Sequence, residues 1–248
     1  MTNKTLGFGI DRPAFPRTGR RAAFGAATLA LAALAFAAPA AAQAYTASTA
    51  NEAPPAELAA EVRAALGGQA IQVKSPAGVL CELWLRQTVP AVVSPGQTLG
   101  VVYNQIAPGT LVGAVRFPAQ VVDFRNQKVK PGVYTLRYEL NPVDGNHQGV
   151  APDRDFLLLV PAASDASTAP LEFNDLAKLS RLAAGTGHPS VWCLVDPGGA
   201  PSQVPAVAAQ DSDNGAIQVL FFQANFQAGA AAKPAVMGLV VVGTSSAA

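Results

Sequence analysis

The run Gly132-Val-Tyr-Thr-Leu-Arg-Tyr-Glu-Leu140 constrains the fold more than any other part of the chain, because Tyr134, Leu136, Tyr138 and Leu140 alternate with Val133, Thr135, Arg137 and Glu139. A period of two turns one set toward a core and the other toward water, as in an antiparallel strand. Lys130-Pro131-Gly132 before it is a turn, since proline presets its own φ and glycine accepts the positive φ that follows. Segments of similar length, separated by proline and glycine, run from Gln69 to Lys74, Val79 to Gln87, Thr98 to Asn104, Leu111 to Phe117, Ser190 to Val195, Ile217 to Phe226 and Ala235 to Val242. Phe156-Leu-Leu-Leu-Val160 does not alternate and is too short for a typical helix, so it predicts a central strand covered on both faces and ended by Pro161.

Two stretches change to helical spacing. Leu58, Val62, Ala65 and Leu66 share one helical face before the stop Gly67-Gly68, and the segment from Pro170 to Ala184 repeats through Phe173, Leu176, Leu179 and Ala183 with Gly185 as its cap. No regular strand–helix alternation exists, which excludes Rossmann-type and TIM-barrel layouts. The 22 Gly and 20 Pro fall mostly in the breaks. The expected fold is mainly β: an antiparallel β-sandwich over residues 55–248 with one or two short helical additions, the larger near 170–184. Residues 45–54 carry no periodicity and read as a disordered start of the mature chain.

The first residues give an address. Arg17, Arg20 and Arg21 precede the apolar stretch from Ala22 to Ala38 and the small-residue exit Ala42-Gln43-Ala44, the three parts of a secretory signal peptide over residues 1–44. A retained membrane anchor is the alternative. Arg20-Arg21-Ala22-Ala23-Phe24 loosely resembles the twin-arginine export signal, from which its spacing departs. The expected location is periplasmic or extracellular. No later run reaches the roughly 18 apolar residues that a spanning helix needs, so no stable membrane span is expected after cleavage. Without Lys4, Arg12, Arg17, Arg20, Arg21 and Asp11, the 17 basic and 16 acidic residues become 12 and 15, a net charge of about −3. A mildly acidic chain with no basic cluster argues against nucleic-acid partners.

Cys81 and Cys193 are the only cysteines. An even pair in an oxidising compartment reads as a disulfide, and local alternation turns each thiol toward a core. The other reading is two buried free thiols packed as small apolar side chains.

The polar residues concentrate between Asn141 and Asp155, where Asp144, Asn146, His147, Asp153 and Asp155 form a candidate ligand-binding loop held by the sheet. The structural reading is a long surface turn in which Asp153 or Asp155 pairs with Arg154 or Arg137. His188, the second of the two histidines, sits in Gly185-Thr-Gly-His-Pro189. If the fold joined it to His147 and Asp144, the three could hold a transition metal, although their spacing matches no metal motif. No cofactor is expected. The chain has no G-x-S-x-G elbow, and its glycine pair follows a helix rather than opening one. Trp84 alternates onto the less apolar face with Glu82 and Arg86, where it can stack on a ligand or lie beneath one of the chain's own helices, with Pro170 to Ala184 as the candidate cover.

Lys130-Pro-Gly-Val-Tyr-Thr-Leu-Arg-Tyr138, followed by Asp144-Gly-Asn-His147 and Asp155-Phe-Leu-Leu-Leu159, resembles a stretch of uncharacterised secreted bacterial β-sandwich proteins over residues 110–161. The resemblance implies the fold and brings no catalytic residue. The functional expectation is an exported, non-catalytic binding or envelope-associated module whose partner is a protein, a small molecule or a glycan. The alternative is a metal-assisted or carboxylate-based hydrolytic enzyme centred on residues 141–155.

Overall fold

The computed structural model describes residues 45–245 apart from Ser94, Gly145, Asn146, Gln148 and Asn214. The signal peptide expected over residues 1–44 and the candidate Asn146 therefore lie outside the described residues.

The described chain is mainly β. Its elements run β1 (Thr46–Ala50), α1 (Ala60–Ala65), β2 (Ala70–Ser75), β3 (Gly78–Leu85), β4 (Val89–Pro90), β5 (Leu111–Phe117), β6 (Val121–Val122), β7 (Lys128–Val129), β8 (Gly132–Leu140) and β9 (Asp155–Pro161). They continue with α2 (Phe173–Ala184), β10 (Val191–Val195), β11 (Ala206–Ser212), β12 (Gly215–Ala228) and β13 (Ala231–Val242). Eleven strands make one sheet in the order β1-β2-β3-β5-β8-β9-β10-β13-β12-β11, with β4 added beside β12. The β4–β12 pair is parallel and the neighbours along the main path are antiparallel. β6 and β7 form a separate ribbon.

β10 joins the two arms of this sheet. Val191, Trp192 and Cys193 pair with β9, whereas Leu194 and Val195 pair with β13. One buried cluster then takes Leu83, Leu136, Tyr138, Leu157 and Leu159 from one arm and Leu220, Phe222 and Leu239 from the other. β9 shows why its sequence does not alternate. Leu157 and Leu159 enter that cluster, while Phe156, Leu158 and Val160 enter a second one with Leu176 of α2. Burying each such side chain stabilises the fold by about 1.5–3 kcal/mol. α2 ends as expected, with Gly185 in the left-handed conformation at φ 66° and its N–H donated to the Arg181 carbonyl.

Several expectations need correction. Residues 46–50 of the tail read as disordered are strand β1, in register with β2 from Thr46 opposite Lys74 to Ala50 opposite Ala70. An edge strand needs only backbone pairing, which the small residues of Thr-Ala-Ser-Thr-Ala allow without any apolar stripe. The segment from Thr98 to Asn104 is not a strand. Its amides are taken by side chains: Asn104 Oδ1 accepts from Thr98 N, and Asp155 accepts from Val102 N and Tyr103 N. β11 falls between the expected strands Ser190 to Val195 and Ile217 to Phe226, where no strand is expected, and pairs with β12 along its length.

Trp84 is fully buried, and its cover is not α2. Leu58, Val62 and Leu66 of the α1 segment close over it, its Nε1 donates to the Glu52 carbonyl at 2.8 Å, and the Arg116 guanidinium lies 5.4 Å from the ring centre. It offers no stacking platform to a ligand. Cys81 and Cys193 are both buried and unbonded. Each faces a core as the alternation required, but the cores differ: Cys81 packs with Leu83 in the first cluster and Cys193 with Val191 and Val195 in the second. The thiols occupy opposite faces of the sheet, so the expected disulfide is absent.

Candidate functional site

The carboxylates between Asn141 and Asp155 divide into anchors and one histidine partner. Asp155 opens β9, is fully buried, and accepts from Tyr138 Oη at 2.6 Å, Tyr103 N at 2.9 Å and Val102 N at 2.8 Å. Its charge is spent on fixing the 98–106 loop, which a carboxylate with three donors does well. Asp153 accepts from Asp196 N at 3.2 Å, and burial holds its carboxyl above the ordinary range. Arg154 donates to the Asn141 and Leu99 carbonyls. The pairing of Asp153 or Asp155 with Arg154 or Arg137 does not form, because Arg137 points across β8 to Asp165.

Asp144 instead meets His147, Oδ1 to Nδ1 at 2.7 Å, in an arrangement that also accepts the His147 backbone N–H. His188 turns its Nδ1 to the Pro189 carbonyl at 2.9 Å. A carbonyl can only accept, so that nitrogen carries the proton. Burial pushes the His188 imidazole below its ordinary value, with Arg125 and His147 acting in the same direction against the Pro189 contact and Asp123.

The fold brings these two histidines to one place. His147 from the loop and His188 from the α2–β10 connection line a cavity of about 280 Å³ between α2 and the outer face of β9 and β10. Its floor is Phe156, Leu158 and Val191, its roof is Phe173 and Ala177 of α2, and Arg181 stands at its edge. The roof residues and Arg181 fall at i, i+4 and i+8, a stripe beside the apolar face that the sequence pattern marks through Phe173, Leu176, Leu179 and Ala183. The Arg181 side chain makes no hydrogen bond or ion pair among the described residues. Among the described residues no three His, Cys, Asp or Glu side chains are grouped to hold a metal ion, so Asp144, His147 and His188 do not make the alternative metal triad.

A larger cavity, about 430 Å³, opens where β2 and β3 approach β12. Its polar groups are largely engaged in holding the chain. Gln87 Nε2 donates to the Leu66 carbonyl, and Arg86 donates to the Leu111 and Thr168 carbonyls.

Compared with known proteins, the chain matches no family model, no curated protein and no solved structure. Among the described residues no helix is long and apolar enough to cross a membrane.

Proposed function

We propose that the protein is an exported β-sandwich module that binds a small molecule, without transforming it, in the cavity beneath α2. The observation that carries the reading is the convergence of the chain's only two histidines on one largely apolar cavity. Apolar walls with a few placed polar groups are the usual composition of a small-molecule site. The carboxylates that a hydrolytic reading would bring to one cleft are engaged elsewhere: Asp153 and Asp155 hold backbone amides. The sandwich rests on the shared core of the two sheet arms and on β10, which pairs with both. Export rests on the Arg17 to Ala44 pattern.

Backbone-amide NMR of the mature protein, titrated with a panel of small apolar acids, amides and amines, tests the binding reading. Shifts should concentrate at His147, Ala177 and His188, and Ala177→Phe should abolish them by filling the space. A panel that leaves those resonances unmoved at millimolar concentration sinks it. Fractionation tests the address: the recovered exported protein should begin at or near Tyr45, and an intact N-terminus confined to the cytoplasm would overturn it.

A further inference from the structure

We infer that the cavity beneath α2 takes a small organic anion with an apolar body, such as a short aromatic or aliphatic carboxylate, and takes up a proton with it. This rests on the reading that the cavity is the ligand site.

The cavity volume of about 280 Å³ corresponds to about nine waters at roughly 30 Å³ each, room for a ligand on the order of ten non-hydrogen atoms. Phe156, Leu158, Phe173 and Val191 offer it apolar contact. Among the described residues no Asp or Glu lines the space, and Arg181 brings a guanidinium with no partner there. A planar fork of donors matches the two oxygens of a carboxylate.

The imidazoles supply the proton coupling. Each ring turns Nδ1 to an acceptor, His147 to Asp144 and His188 to the Pro189 carbonyl, which leaves Nε2 without a partner among the described residues. A neutral ring held that way has a lone pair at Nε2, and a lone pair beside a carboxylate repels it. Protonation from solvent converts that nitrogen to a donor, and the bound anion favours the charged ring. His188 is the ring that changes, because burial holds its imidazole below the ordinary range in the free protein. The other charges around it are Asp144 on His147, Asp123 and Arg125 on the β6–β7 turn, and Arg181 of α2 in the lining of the same cavity. Asp123 accepts from the Arg125, Gln127 and Val191 amides, and its pull toward the charged ring is outweighed by burial in the free protein.

Calorimetry with phenylacetate, benzoate and hexanoate, each against its own amide, tests the inference at pH 6 and pH 8 in two buffers of different ionisation enthalpy. At least one acid should bind 10-fold or more tighter than its amide at pH 6, with proton uptake, and the preference should shrink at pH 8. Arg181→Gln should remove the preference for the acid over its amide, and His188→Gln should remove the proton uptake. Amides that bind as well as their acids overturn the anion assignment and leave the cavity as a binding site. If neither acids nor amides bind, both the assignment and the site fall.

Discussion

Arg137 and Asp165 form a two-point ion pair in which neither side chain is more than 2% exposed, with Nε to Oδ2 and Nη2 to Oδ1 both at 2.7 Å. The remaining guanidinium hydrogens go to the Gly109, Ser167 and Ala169 carbonyls, so one side chain ties β8 to the connection leading into α2. A fully buried charge is tolerated only while every donor is met. Asp165→Asn leaves the guanidinium without its counter-charge and should cost about 3–5 kcal/mol in urea unfolding. Replacing both members, Arg137→Met with Asp165→Leu, should cost less than the single change. A single variant as stable as wild type would show that the pair carries no such burden.

The same connection depends on Gly109. Its φ is +79°, and a Cβ placed there would lie 2.0 Å from the Leu171 carbonyl oxygen, where the Leu171 N–H donates to Gly109. Neither the backbone region nor the neighbouring chain has room for a side chain. Gly109→Ala should therefore lower stability by about 2 kcal/mol or more. Gly68→Ala, with nothing within 4 Å of the added carbon, is the control and should stay within about 0.5 kcal/mol.

Both thiols should be silent in the folded protein. Cys81 and Cys193 are buried and unbonded, and burial pushes each thiol well above its ordinary range, so little reactive thiolate exists near neutral pH. A thiol-reactive chromophore should report no cysteine in native protein and two after denaturation without reductant. Reductant should leave the Tm unchanged. A reductant-dependent Tm would mean that the chain is bridged after all.

Burial explains β9, whose unbroken apolar run serves two covered faces, but it overturns the wet face expected of β8: Thr135, Arg137 and Glu139 are buried, the first two because the connection carrying Asp165 packs over them and meets their polar groups. The Thr98 to Asn104 segment misled because Val101, Val102 and Tyr103 are good strand formers. What overrode them was a carboxylate more than fifty positions away, Asp155, which captures two of their amides. Alternation also placed each cysteine facing a core without saying which core, since parity within one strand carries no information about another. For the site, His147 and His188 could be singled out, but their meeting is a product of β9–β10 pairing and the packing of α2. Arg181 was missed because a charge on a helix is ordinarily a solvated one.

Half-buried His188 and buried Glu139 should tilt the pH dependence of stability in opposite directions. His188 is held below its ordinary value, chiefly by burial, so as the pH falls the unfolded chain takes up this proton before the folded one does. Stability is then lost on acidification, starting near the ordinary histidine value of about 6.5, and His188→Gln should flatten that limb. Glu139 is held above its ordinary value, first by burial and then by Glu172, and its Oε2 has no hydrogen-bond partner. Here the unfolded chain releases its proton first as the pH rises, so stability present below the ordinary glutamate value of about 4.3 is lost above it. Glu139→Gln should thus stabilise at pH 7, by about 1 kcal/mol on the cost of an unmet buried acceptor, and give no gain at pH 4. Urea midpoints of the two variants across pH 4 to 8 separate the effects, because His188→Gln changes the slope mainly near and below 6.5 and Glu139→Gln mainly near and above 4.3. A Glu139→Gln gain that is the same at pH 4 as at pH 7 would assign it to packing rather than to the buried charge.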